Sequence, residues 1–315
     1  MRSEINILFL GGAKRVSLAE RFIKAGELLG ARVHIFSYEL DPFVPISSVA
    51  KVIPGLKWND PALFQDLNRL VNQEHINIIL PFVDPAITFL ASFKENRNDV
   101  FIPVSDLKVC EIFFNKLKSN NWFLDNGFPV PLDNNTYPKI AKPLTGSASK
   151  GIEVISSANS MMEFEKKNDM NSYIIQRYIK GDEYTVDIYI SQKNNILATV
   201  PRKRLEITGG EVTKALTVKD DTLISLAKSI ATVAKLKGPV NIQFIKEQET
   251  GSIFVMEINT RFGGGVIASI EAGADFTKML LMEYLGLPVE PISDWKNNLI
   301  MMRTNREFFA YATNN

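Results

Sequence analysis

Residues 240–265 read VNIQFIKEQETGSIFVMEINTRFGGG, and this stretch decides the fold. Two β-rich runs, Val240–Lys246 and Ser252–Ile258, flank the turn 249–251, which is the pattern of a β-hairpin. Alternate residues of a strand share a face, so Glu257 and Asn259 lie on the same side of the second strand. The sequence therefore predicts a hairpin with polar side chains along one face.

Gln243 lies on the first strand of this hairpin and projects toward Glu257 and Asn259 if the two strands pair as predicted. Carboxylate and amide oxygens suit Mg²⁺, but a solvated outer face of a hairpin would give the same pattern. Arg261 follows before the glycines 263–265, and its guanidinium could stabilise developing negative charge or lie on the surface. Taken alone, these residues leave both interpretations open.

A glycine- and serine-rich loop lies upstream, where residues 142–151 read KPLTGSASKG between two predicted strands, Tyr137–Lys142 and Gly151–Ile155. Backbone N–H groups of such a loop can surround phosphate oxygens, and Lys142 and Lys150 supply positive charge. The alternative is a flexible hairpin loop with solvated lysines. The loop is not a P-loop.

Two further segments carry polar groups next to predicted strands. Residues 176–183 read QRYIKGDE, where an exposed strand edge could hold a flat heterocycle or simply end in a turn at Gly181. Arg202, Lys203 and Arg204 follow a predicted strand, Ile196–Pro201, and fit either an anion site or a solvated run of charge.

The first hundred residues alternate strands and helices, which predicts parallel pairing in a layered α/β domain. The predicted strands are Ile5–Leu10, Arg32–Tyr38, Ile76–Pro81 and Phe101–Val104, and the predicted helices are Ser17–Leu29 and Pro61–Glu74. Further helices are predicted over Lys108–Asn126, Ser160–Lys167, Thr222–Leu236 and Ile267–Leu285. After residue 172 the pattern becomes mostly strand.

Bulk properties exclude several classes of function. The 315 residues carry a formal net charge of +1, with 45% hydrophobic and 23% charged residues, so bulk charge indicates neither a nucleic-acid nor a membrane partner. The one cysteine, Cys110, cannot form an internal disulfide and is expected to be a buried structural thiol. With no apolar stretch of membrane-spanning length and no signal-peptide pattern, we expect a cytoplasmic protein.

Taken in order, these motifs resemble the ATP-grasp superfamily, especially the branch that is similar to the large subunit of carbamoyl phosphate synthase, here with a single ATP-grasp unit. The resemblance covers nearly the whole chain. It implies an α/β and α+β fold, with a Rossmann-like pre-ATP-grasp domain over residues 1–105. A two-lobed ATP-grasp fold would follow, with the small lobe over 106–172 and the catalytic lobe over 173–315.

The resemblance also implies roles for individual residues. Arg261, Lys142 and Arg202 would be catalytic, and Gln243, Glu257 and Asn259 would hold two Mg²⁺ or Mn²⁺ ions. The nucleotide would be bound by Lys116, Lys142, Gly146, Ser147, Ser149, Gly151, Gln176, Tyr178, Ile179 and Glu183.

Some positions depart from the family pattern. Gln243 stands where aspartate or glutamate is common, which weakens the outer metal position, and Asn115 replaces a common aspartate. Biotin carboxylases have a polar, acidic stretch after the EINTR segment, whereas this chain has FGGG from Phe262, so a biotin carboxylase is not favoured. The chain also has no second ATP-grasp half, as a complete carbamoyl phosphate synthase would.

The resemblance implies an Mg-ATP-dependent carboxylate–amine ligase that forms an acyl phosphate and releases ADP and phosphate. An ATP-dependent small-molecule kinase on the same fold and a non-catalytic nucleotide-binding protein are the alternatives. The expected partners are a small-molecule carboxylate and an amine, with a homodimer as the default assembly.

Overall fold

The computed structural model describes residues 3–146 and 150–309. Its first sheet has four parallel strands in the order β3-β2-β1-β4. The strands are β1 (Glu4–Leu10), β2 (Arg32–Glu39), β3 (Lys51–Pro54) and β4 (Ile78–Pro81), and the helices around them are α1 (Val16–Leu28), α2 (Leu63–Gln73) and α3 (Asp84–Phe93). This confirms the predicted parallel α/β domain.

The central strand β1 is buried on both faces. Ile7 and Phe9 point into one hydrophobic cluster, whereas Leu8 and Leu10 point into another on the opposite side. This alternation follows from the two-residue period of a strand. A nearly continuous apolar run is therefore what a parallel strand covered by helices requires.

The segment Phe101–Val104 was predicted to be a strand, and that prediction was wrong. Only one parallel bridge forms there, between Ile78 and Phe101. Pro103 has no backbone N–H to donate, so the ladder cannot continue along this segment.

The helical stretch predicted over Lys108–Asn126 is two helices, α4 (Leu107–Phe114) and α5 (Lys116–Asp125). Asn115 between them is extended, and its side-chain oxygen accepts hydrogen bonds from the backbone N–H groups of Leu117 and Lys118. Asparagine is a favoured N-cap residue, so it starts a new helix. Lys116 consequently becomes the first residue of α5.

The second sheet has three antiparallel strands in the order β6-β5-β7. They are β5 (Lys139–Pro143), β6 (Glu153–Ile155) and β7 (Tyr173–Arg177), and helix α6 (Ala158–Lys167) packs on them through Phe164. Since β7 pairs with β5, this sheet extends five residues past the domain boundary expected at residue 172.

The third sheet has six strands in the order β12-β11-β8-β9-β10-β13, all antiparallel. The strands are β8 (Gly181–Ile190), β9 (Ile196–Thr208), β10 (Glu211–Thr217), β11 (Gly238–Glu247), β12 (Ile253–Asn259) and β13 (Ile300–Met302). Helix α7 (Asp221–Val233) covers one face of the sheet with an apolar core. The hairpin predicted from Val240–Lys246 and Ser252–Ile258 is thus confirmed as the antiparallel pair β11 and β12.

The predicted helix Ile267–Leu285 is also two helices, α8 (Val266–Glu271) and α9 (Phe276–Tyr284). Gly273 between them has φ +115°, a conformation that side-chain-bearing residues rarely adopt. Phe262, on the segment entering α8, and Phe276 pack in the same hydrophobic cluster as Ile7 and Phe9 of the first sheet. This packing brings the end of the third sheet against the first domain.

Within residues 3–146 and 150–309, no helix is long and apolar enough to cross a bilayer.

Candidate active site

A cavity of about 840 Å³ opens where the three sheets meet. Its wall combines the glycines 263–265, the loop that follows β1 and the polar face of the third sheet. Lysines of the second sheet and of α5 close the opposite side. This cavity collects most of the residues singled out from the sequence, as expected for a ligand site.

The strand register explains why distant residues meet in this cavity. Gln243 on β11 pairs with Glu257 on β12 and with Thr185 on β8, and Thr185 in turn pairs with Arg202 on β9. Directly paired residues point to the same face of a sheet. A row of four polar side chains therefore runs across four strands on the face that lines the cavity.

The three candidate metal ligands lie together. Nδ2 of Asn259 donates to Oε1 of Glu257 over 3.1 Å, and Gln243 is the register partner of Glu257. Among the described residues, no three histidine, cysteine, aspartate or glutamate side chains form a closed metal cluster. One carboxylate with neighbouring amide oxygens fits Mg²⁺ that takes its other ligands from phosphates and water.

Lys142 approaches the same cavity from β5. Its ammonium group donates to Oε1 of Gln176 over 3.0 Å, and the side chain is buried. Burial lowers the pKa of Lys142 to about 8; the nearby Lys116 lowers it further, whereas Glu257 and Glu183 raise it. Lys116 donates to the carbonyl of Gly146 over 2.9 Å. Two ammonium groups thus face the carboxylate of Glu257.

We expect the binding of an ATP analogue to weaken as the pH rises through about 8. Lys142 is charged below its pKa of about 8 and neutral above it, and only the charged form attracts phosphate. The dissociation constant of a non-hydrolysable analogue, measured by calorimetry, should rise about tenfold or more between about pH 7 and about pH 9.5.

Lys142→Arg is the control, because arginine keeps its charge throughout this range. The variant should bind with a constant affinity over the same pH window. An equal rise of the dissociation constant with pH in both proteins would show that the charge of Lys142 does not control phosphate binding.

The glycine loop is only partly described. Gly146 lines the cavity, and so do Lys150 and Ile152, whereas Gly151 has φ +71° and packs against Pro143. The positions of Ser147 and Ser149, which were expected to bind phosphate, lie outside the described residues.

Arg261 forms an ion pair that the sequence did not predict. Its Nε and Nη2 atoms donate to Oδ1 of Asp84 over 3.1 and 3.0 Å, and Nη2 also lies 3.3 Å from Oδ1 of Asn259. Both side chains of the pair are largely buried. Asp84 begins α3 in the first domain, so this pair holds the arginine beside the candidate metal ligand Asn259.

Arg202 was expected to follow a strand that ends at Pro201. It lies instead inside β9, which continues to Thr208. It is 1% exposed and donates from Nε and Nη2 to the two carboxylate oxygens of Asp187 over 2.7 and 3.0 Å. Ser269 donates to the same carboxylate. Arg202 therefore belongs to a buried network in the cavity floor, and its Nη1 has no hydrogen-bond partner among the described residues.

The residues of segment 176–183 that were expected to bind the nucleotide do not all line the cavity. Glu183 lines the cavity and pairs with Arg204, which also donates to Oε1 of Gln243 over 3.1 Å. Gln176 is turned inward onto Lys142 and Asn120. Tyr178 and Ile179 are not among the residues that line the large cavity. The apolar lining of the cavity includes Ile140 of β5 and Met256 of β12.

Sequence reasoning missed Asp84 and Arg15, which both line the cavity. Asp84 follows β4 and Arg15 follows β1, at the carboxyl ends of neighbouring parallel strands. Ligands of open α/β sheets bind outside the carboxyl ends of the strands. That rule, applied to the predicted strands, could have found both residues.

Sequence and structure comparisons agree with this architecture. The D-alanine–D-alanine ligase of Rickettsia akari is 26% identical over 200 residues, which are 53% of this chain and 61% of that relative. The carbamoyl phosphate synthase large chain of Clostridium acetobutylicum is 27% identical over 138 residues, 40% of this chain and 13% of that protein. The chain therefore spans only part of the length of the relatives it matches.

The fold itself is shared over a longer stretch. A biotin carboxylase from Campylobacter jejuni, solved with a β,γ-ATP ligand, superposes with a TM-score of 0.75 over 94% of this chain and 74% of that one, at 14% identity. The fold is therefore that of ATP-grasp proteins, and the sequence is similar to such enzymes over part of the chain. Residues 169–307 match the family described as ATP-grasp in the biosynthetic pathway with Ter operon.

Proposed function

We propose that the protein is an Mg-ATP-dependent ligase that joins a carboxylate to an amine through an acyl phosphate. One observation carries this proposal: a single cavity has Lys142 and Lys116 on one wall and the Glu257–Asn259 pair on the other. Phosphoryl transfer needs charge neutralisation and alignment more than covalent groups. This arrangement supplies both.

In this proposal, Lys142 and Lys116 hold the phosphates. Lys142 is fixed by Gln176, and Lys116 is anchored to Gly146 at the start of the glycine loop. An ammonium group that is already positioned loses little entropy when it binds an anion. These contacts support a role for Lys142 and Lys116 in orienting the triphosphate toward the third sheet.

Glu257, Gln243 and Asn259 would hold Mg²⁺ from the opposite wall. When bound, the ion neutralises charge on the phosphate oxygens. Gln243 is already engaged by Arg204, and a neutral amide is a weaker ligand than a carboxylate. Glu257 is therefore the principal protein ligand in this proposal.

The reaction has two balanced steps. A carboxylate oxygen of the substrate attacks the γ-phosphorus, and the bond to the β-phosphate oxygen breaks, releasing ADP. The amine nitrogen then attacks the acyl carbon, loses a proton to solvent, and phosphate leaves. Arg261, held by Asp84, would stabilise the oxyanion of the second step. No enzyme nucleophile is needed.

The experiment is to incubate the protein with Mg-ATP and a panel of carboxylates, with hydroxylamine as the amine. Hydroxylamine captures an acyl phosphate as a hydroxamate, so ADP and hydroxamate should form in equal amounts with at least one acid. ADP with a stable phosphorylated product and no hydroxamate would identify a kinase instead. Failure to bind Mg-ATP would contradict both activities.

A further inference from the structure

Arg15 is a cation that the proposed reaction does not use. It lies on the loop between β1 and α1, is half-buried in the cavity wall and stacks over the ring of Phe82 at 5.8 Å. Its backbone N–H donates to the carbonyl of Gly12 over 2.7 Å. Within residues 3–146 and 150–309, its guanidinium has no hydrogen-bond or ion-pair partner.

The loop that carries Arg15 is firmly held. The backbone N–H of Gly11 donates to the carbonyl of Tyr38 over 3.3 Å, and that of Ile46 donates to the carbonyl of Ala13 over 3.0 Å. Gly11 has φ +72° and approaches Val83 so closely that a Cβ there would lie 2.8 Å from a methyl group. Arg15 is consequently presented from a rigid turn.

The other arginines near Arg15 are already paired. Arg261 is neutralised by Asp84 and Arg303 by Glu211. Burial lowers the pKa of Arg15 to about 10; the charges of Arg261 and Arg303 lower it further, whereas the charge of Glu211 raises it. A guanidinium without a direct hydrogen-bond or ion-pair partner is costly to bury unless an anion joins it.

Arg202 adds a second unsatisfied donor next to Arg15. A Cβ on Gly264 would lie 3.4 Å from Nη1 of Arg15, and a Cβ on Gly265 would lie 2.4 Å from Nη1 of Arg202. Consecutive Cα atoms are about 3.8 Å apart, so both guanidinium groups border the same short stretch of wall. A side chain at position 265 would clash with Arg202, whereas a Cβ at position 264 would contact Arg15 at an ordinary van der Waals distance.

We propose that Arg15 and Arg202, with the glycines 264–265 between them, form a subsite for a non-reacting anionic group of a substrate. Arg202 lies three strands away from Glu257 in the row across the third sheet, which separates the backbone of the two residues by about 14 Å. The group at the subsite is therefore distinct from the carboxylate that is phosphorylated. This inference rests on the proposed ligase function and narrows its substrate class.

Two sources would supply such a group. The acid substrate could carry a second carboxylate or a phosphate, or the amine could be an amino acid that keeps its own carboxylate. Both place a carboxylate or phosphate oxygen against the guanidinium groups, where charge-assisted hydrogen bonds form.

The first experiment measures binding without turnover. Protein saturated with Mg²⁺ and a non-hydrolysable ATP analogue is titrated calorimetrically with a panel of dicarboxylates, phosphorylated acids and amino acids. The affinity for each compound is compared with the affinity for its partner, an analogue that lacks one anionic group. Wild type should bind at least one member about tenfold to a hundredfold more tightly than its partner, and Arg15→Met should abolish this preference. Arg32→Met, which removes an exposed arginine far from the cavity, is the matched control and should keep it. Equal affinities in all three proteins would overturn the subsite.

The second experiment separates the two sources. In the hydroxylamine assay, a KM for the acid that rises tenfold or more in Arg15→Met assigns the anionic group to the acid. With an amino acid in place of hydroxylamine and ADP release as the readout, a rise confined to the KM of the amino acid assigns the group to the amine. Unchanged KM values for both substrates would contradict the subsite while the ligase function stands. Binding that depends on Arg15 without any turnover would retain the subsite and reject the ligase function.

Discussion

Glu257→Gln should lower ATP-dependent turnover by about a thousandfold, or about 4 kcal/mol in the activation barrier. Glutamine keeps the size of the side chain and can still accept the hydrogen bond from Nδ2 of Asn259. It removes the one carboxylate at the proposed metal positions, so the magnesium concentration that gives half-maximal rate should rise. Steady-state rates of ADP release over a magnesium titration measure both effects.

Glu206→Gln is the matched control for this substitution. Glu206 lies on β9, is exposed and pairs with Lys214 away from the cavity, so its loss should leave both the rate and the magnesium midpoint unchanged. Full turnover of Glu257→Gln at an unchanged midpoint would show that Glu257 does not hold the metal.

Arg202→Met should destabilise the protein by about 3–5 kcal/mol, because it leaves the carboxylate of Asp187 buried without its charge partner. For a chain of this size, that loss should lower the midpoint of thermal unfolding on the order of 10 °C. Chemical denaturation, monitored by circular dichroism, gives the free energy of unfolding directly.

Two variants separate the buried pair from a general effect on β9. Lys203→Met removes the next charge along the strand, whose ion pair with Asp182 is exposed, and should cost less than about 1 kcal/mol. The double variant Arg202→Met with Asp187→Leu removes both buried charges and should recover part of the lost stability. Equal losses in Arg202→Met and Lys203→Met would refute the assigned role of the buried pair.

Local sequence pattern is enough to predict several parts of the molecule. The hairpin β11–β12 follows from its alternating composition, and the two-residue period of a strand then places Glu257 and Asn259 on one face. The parallel first sheet likewise follows from the alternation of apolar strands and helices. Resemblance to a known family links the separate motifs into one fold.

Features set by long-range pairing could not be predicted in this way. Arg202 joins the row of Gln243 only because β8 lies between β9 and β11, and local composition does not contain that order. The ion pair of Arg261 with Asp84 depends on the packing of the third sheet against the first domain. The break at Asn115 was missed because this capping residue lies within a continuous helical pattern.

The central claim is that a carboxylate oxygen attacks the γ-phosphate in this cavity. The most direct test uses the best acid from the panel, labelled with ¹⁸O in its carboxylate, together with Mg-ATP and an amine. Each turnover should transfer one labelled oxygen from the acid to the released inorganic phosphate, as mass spectrometry of the phosphate would record. Released phosphate that carries no label while the ligated product forms would contradict the acyl phosphate and the mechanism built on it.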